Sequence, residues 1–187
     1  AISRDRCWAT FCDYLYMVKM QFDVKFHSFV LMSNHFHIEL TTPKRNLPLI
    51  MNRLMTEFAF AVNDQSNRVN HVFGGQYKGS LIKTDAYARA CHKYILTNPV
   101  RAGICKNILE YPYTSLHGQL GFSKLLVPVV DSIFKINPFD DIETYLKWLS
   151  RTPDLRAIKG IQRGLRRREF HLSKELIGEL GPGLGMS

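Results

Sequence analysis

The chain has 187 residues, of which 45 % are apolar and 22 % charged, so it is neither a disordered polymer nor a collagen-like repeat. No run of 18 apolar residues occurs, which argues against a transmembrane helix, and the start AISRDRCWAT lacks the apolar core of a secretory signal. Twenty-five Lys and Arg against 16 Asp and Glu give a net charge of +9, the footprint of a polyanion binder or simply of a basic soluble domain.

Residues 8–22 place Trp8, Phe11, Cys12, Leu15 and Tyr16 at helical spacing. The run FDVKFHSFVLM then alternates as a strand, with Val24, Phe26, Ser28, Val30 and Met32 on one face and Lys25, His27, Phe29 and Leu31 on the other. Ser33-Asn34 suits a tight turn, and HFHIELTT alternates again, so a β-hairpin is expected. After a turn-rich Pro43–Pro48 linker, residues 48–63 form an amphipathic helix with Pro48 in its first turn. Residues 64–71 read as a polar loop. Residues 72–83 read as a loop followed by a strand.

A helix is expected over 85–97, capped by Thr84 or Asp85 and ended by Pro99. Gly103, Pro112 and Gly118 punctuate a loop region, and residues 139–150 make another helix. A basic stretch (Arg163, Arg166, Arg167, Arg168), a short helix near 173–180 and a disordered GPGLGMS end follow. The fold class is α+β, helices on one face of an antiparallel sheet. A ferredoxin-like core needs a strand before the first helix, and that strand is expected to precede this chain. Residues 1–150 carry 17 basic and 12 acidic side chains, and 151–187 carry 8 and 4, so the C-terminal part is the more basic.

Four cysteines (Cys7, Cys12, Cys91, Cys105) form no C-x-x-C pair, and reduced thiols in a cytosolic protein are expected.

Two constellations carry chemistry. His35 and His37 sit at i and i+2 on a strand, so both imidazoles project from one face, as a divalent-metal pair requires. The plainer reading is a polar strand face. Tyr87, Cys91, Tyr94 and Asn98 share one helical face. Tyr94 is either a core-facing aromatic or a nucleophile aided by a metal and by Lys93, and the Asn98 amide oxygen suits a hard cation.

Together, FHSFVLMSNHFHIELTT and GGQYKGSLIKTDAYARACHKYILTNPVRAGI resemble the HUH tyrosine transposases, most nearly the REP-associated tyrosine transposases. Their pattern runs M-x-N-H-x-H, then Y-I-x-x-N-P-V-R-A-G, and the match spans residues 24–117. Ser33 stands where the family often has Pro. The resemblance implies a ferredoxin-like catalytic domain over 1–120; the helical, basic region over 121–187 lies outside the matched motifs, and its arginines make it a candidate DNA-binding region. The resemblance implies a bacterial, nucleoid-associated nuclease and strand-transferase, monomeric or homodimeric, acting on single-stranded or hairpin DNA. Its metal ligands are His35, His37 and Asn98, holding Mg²⁺ or Mn²⁺, and Tyr94 is the nucleophile that forms a 5′-phosphotyrosine. Arg45, Arg53, Lys78, Lys83, Arg89, Lys93 and Arg101 are candidate phosphate contacts, with Arg163, Arg166, Arg167 and Arg168 in the C-terminal region. Tyr77 and Phe73 are candidates for stacking on bases. Two other classes compete: a DNA-binding regulator on the same fold that does not cleave, and a histidine-based nucleotide hydrolase, which the missing glycine-rich phosphate loop disfavours.

Overall fold

The structure is a computed structural model, and it describes residues 2–67, 69, 71–130, 141–151 and 153–180. The helix expected over 139–150 begins outside these residues, the 181–187 tail lies wholly outside them, and the 64–71 loop does so at 68 and 70.

The protein is a mixed helix and sheet structure. Its elements are α1 (Arg4–Gln21), β1 (Lys25–Leu31), β2 (Phe36–Thr41), α2 (Leu47–Ser66), α3 (Asp85–Leu96), α4 (Asn98–Arg101), α5 (Ser115–Gln119), α6 (Ile142–Ser150), α7 (Leu155–Gly164) and α8 (Lys174–Leu180). None of the described helices is long and apolar enough to cross a membrane. The chain divides into two compact units, both discontinuous: residues 1–77 with 112–130, and residues 78–111 with 131–187.

In the first unit, α1 opens four residues earlier than its apolar pattern. Ser3 accepts the Arg6 amide hydrogen and so supplies the cap that the pattern does not reveal. β1 and β2 pair antiparallel, with a register shift between Phe26 and Ser28. That bulge corrects the face assignment. One extra residue reverses the alternation, so Val24 and Phe26 join Phe29 and Leu31 on a single apolar face. Phe11, Leu15 and Val18 of α1 and Ile50, Leu54 and Phe58 of α2 cover that face, all of them buried. Each such side chain contributes roughly 1.5–3 kcal/mol by leaving water. The bulged His27 turns to the other face. Its Nδ1–H donates to the Val130 carbonyl at 2.7 Å, and its Nε2 accepts from the Thr41 hydroxyl at 2.8 Å. Residues 113–115 and 129–130 line the second edge of β1, through the Leu31 and Val130 amides and the Ser115 hydroxyl.

In the second unit, α3 is capped by Thr84, whose hydroxyl accepts the Tyr87 amide hydrogen. Its Ala90, Cys91 and Tyr94 pack against Ala157 and Ile161 of α7 and against Phe170 and Leu172. Asp141 and Asp154 cap α6 and α7 in the same way. The strand expected within 72–83 does not form. Only Leu81 is bridged, to Glu169, and the three glycines at 74, 75 and 79 disfavour a longer extended run.

Gly118, expected in a loop, lies inside α5. A Cβ there would stand 2.4 Å from the Leu125 Cβ, so the glycine permits a close approach of two segments. Gly118→Ala is expected to destabilise the protein by about 1–3 kcal/mol, seen as a lower melting temperature.

Candidate metal and nucleophile sites

The hairpin tip builds the first site. Phe36, Ile38 and Leu40 pack toward the core, so the alternate residues His35, His37 and Glu39 take the opposite face, as their spacing requires. His35 is exposed, His37 half-buried and Glu39 buried, with the Glu39 carboxylate accepting the Ser28 hydroxyl at 3.0 Å. The two imidazole rings lie 5.0 Å apart, centre to centre, at 79°. A metal–nitrogen bond of about 2.1 Å sets two cis ligands with ring centres about 4.6–5.3 Å apart, and the spacing of this pair falls in that range. Asn34 adds a feature that sequence reading assigned only to turn geometry. Its Oδ1 lies 2.7 Å from His35 Nδ1 and accepts its proton, which leaves Nε2 with the lone pair a metal needs. Although His35 is exposed as a residue, the partial desolvation of its ring lowers its pKa and favours the same neutral form. Among the described residues no group of three His, Cys, Asp or Glu side chains forms a metal site. Asn34→Ala is expected to weaken Mn²⁺ binding about 10- to 100-fold, measured by calorimetric titration.

The second site lies in the other unit. Tyr94 is 9 % exposed and belongs to the apolar cluster under α7. The Arg101 guanidinium stacks on its ring, 3.8 Å from the centre, and Nη2 donates to the Tyr94 carbonyl at 2.9 Å. Arg101 was expected on a phosphate. Its head group is instead committed to Tyr94, which brings a fixed cation against the phenol ring. Asn98 is buried and opens α4, so the backbone turns helical again directly before Pro99 and the break falls at Thr97.

Lys93 is a plain correction. It is 4 % exposed, its ammonium donates to the Trp148 carbonyl and it lies 5.0 Å from the Trp148 ring centre, so it presents nothing to a phosphate. Burial, with repulsion from Arg151, pushes its pKa down to about 8. The unfolded side chain holds its proton to about pH 10.4, so unfolding takes up a proton between those values and stability rises with pH across that window. Below it both states are charged and the cost of burial stays constant. Lys93→Met is expected to raise stability at pH 7 by about 1–2 kcal/mol and to flatten the rise above pH 8, measured by urea denaturation. The Trp148 carbonyl keeps the Arg151 amide hydrogen in that variant.

The other basic candidates divide by environment. Arg45, Lys78, Arg163, Arg166, Arg167 and Arg168 are exposed, and Arg89 is half-buried. Arg53 pairs with Glu57 at 2.7 Å and Lys83 with Glu169 at 2.8 Å, both surface pairs that a phosphate can displace at little cost. Tyr77 and Phe73 are half-buried against the first unit's core. The chain matches no protein-family model, no curated protein and no solved structure.

Proposed function

We propose that this protein is a metal-dependent single-strand DNA nuclease and strand-transferase of the HUH tyrosine transposase type, with a ferredoxin-like core. The observation that carries the reading is the His35–His37 pair, with Asn34 fixing the tautomer of His35. A divalent cation, Mg²⁺ or Mn²⁺, would there draw charge from the scissile phosphate. The Tyr94 oxygen attacks phosphorus, the bond to the 3′ oxygen breaks, and a 5′-phosphotyrosine forms while the 3′ oxygen takes up a proton. The new ester keeps the phosphodiester's energy, so strand transfer needs no ATP. Exposed arginines at 45, 163 and 166–168 supply phosphate contacts, and the +9 charge favours a polyanion held on the bacterial nucleoid.

One observation favours the second reading, a regulator that binds DNA without cutting: the Tyr94 ring is packed among apolar side chains. A single assay separates the two. The protein is incubated with labelled single-stranded hairpin DNA from beside its own gene and Mn²⁺, then denatured in SDS. A slow-migrating covalent adduct supports the nuclease. Salt-sensitive binding without adduct or cut product replaces it with the regulator.

A further inference from the structure

A cavity of about 330 Å³ opens beside His35, wholly inside the first unit. Its floor is aromatic. Phe36 and Phe73 meet edge to face at 5.6 Å, and Phe58 and Phe73 lie 6.0 Å apart. Its rim is polar, with His35, Asn63 and His71. Arg4 and Arg6 are exposed on the first turn of α1, between the lining residues Ile2 and Cys7 in the chain, with the exposed Asp5 between them.

We infer that this cavity receives one unpaired nucleobase of a bound single strand. The volume falls in the range of small-molecule sites, which combine apolar walls with few polar groups. A purine or pyrimidine needs a π surface for its face and donors and acceptors for its edge, and ring floor, amide and imidazole provide both. An aliphatic peptide side chain would use the floor and none of the polar rim. The base held here fixes the register of the chain on the histidine pair, so the cavity selects which phosphodiester is cut. This selection rests on the nuclease reading; base capture itself does not.

The test uses the full chain in EDTA, without catalysis, in two arms. In the first, the hairpin strand from beside the gene carries a single abasic site moved along its unpaired flank. One position is expected to cost about 10-fold or more in affinity. His71→Ala is expected to shrink that difference and Phe73→Leu to erase it, while both keep the wild-type far-ultraviolet circular dichroism. An equal affinity at every abasic position, or a penalty unchanged in both variants, overturns the inference. In the second arm, free deoxynucleosides are titrated while the ring resonances of Phe73 and His71 are followed by NMR. Saturable shifts with no binding of the strand retain the cavity and discard the DNA reading. No shift with any nucleoside, together with no strand binding, overturns both.

Discussion

Tyr94→Phe is expected to abolish the covalent protein–DNA adduct and to lower strand cleavage by at least about 10⁴-fold, while DNA affinity stays within about twofold of wild type. The phenylalanine keeps the ring in the apolar cluster and beneath the Arg101 guanidinium, so the fold of the second unit is preserved. Only the oxygen that would attack phosphorus is removed, and loss of a nucleophile removes the covalent pathway as a whole. The SDS-resistant band and the cut product are read from the same gel. Survival of the band in this variant would place the nucleophile elsewhere. A companion change, Arg101→Gln, removes the cation from the ring face. It is expected to slow adduct formation far less than loss of the oxygen does, because it alters the environment of the phenol and not its presence.

The paired variant His35→Ala/His37→Ala is expected to lose divalent-metal binding and to lower cleavage by at least about 10³-fold, with the melting temperature nearly unchanged. His35 is exposed just before β2, at the rim of the cavity, and His37 is half-buried on the face of β2 opposite the core, so neither truncation removes a side chain from among the buried rings. Each removes a donor, and a lone imidazole holds a hard cation weakly. The pH dependence follows from His35. Because burial lowers its pKa, proton competition for the metal sets in only below the ordinary 6.5, and Mn²⁺ affinity is expected to hold through pH 7 and fall as the solution becomes more acid. Titrations at several pH values measure this directly. Cleavage that persists in the double variant, with Mn²⁺ still bound, would remove the histidine pair from the chemistry.

Much of this was legible in the residues. The period of two in HFHIEL puts His35 and His37 on one side and Phe36 and Ile38 on the other, and the structure keeps that division because the apolar set has a core to enter. The apolar stripe of α2 with Pro48 in its first turn, and the Thr84 cap of α3, are local features that reach only three or four residues. The faces of β1 were not legible, because a bulge changes the count of residues without leaving a mark in the apolar pattern. Nor was the strand expected in 72–83 decided locally. A strand forms only when another edge accepts its hydrogen bonds, and Leu81 alone found one.

The same limit separates what the chain alone determined about chemistry from what tertiary structure decided. Spacing alone placed the two imidazoles side by side and put Tyr94 on one helical face with Tyr87, Cys91 and Asn98, since both follow from backbone periods of 2 and 3.6. The tertiary structure decided that Lys93 is sealed against Trp148, 55 residues away, and that Phe29 donates to Ser115 across 86 residues. It also decided that Arg101 covers the Tyr94 ring, a turn in which Thr97 breaks the helix and α4 redirects the arginine. A charge is free for a phosphate or consumed within the fold according to which apolar surfaces close over it. Those surfaces come together from distant segments, and local periodicity carries no record of their meeting.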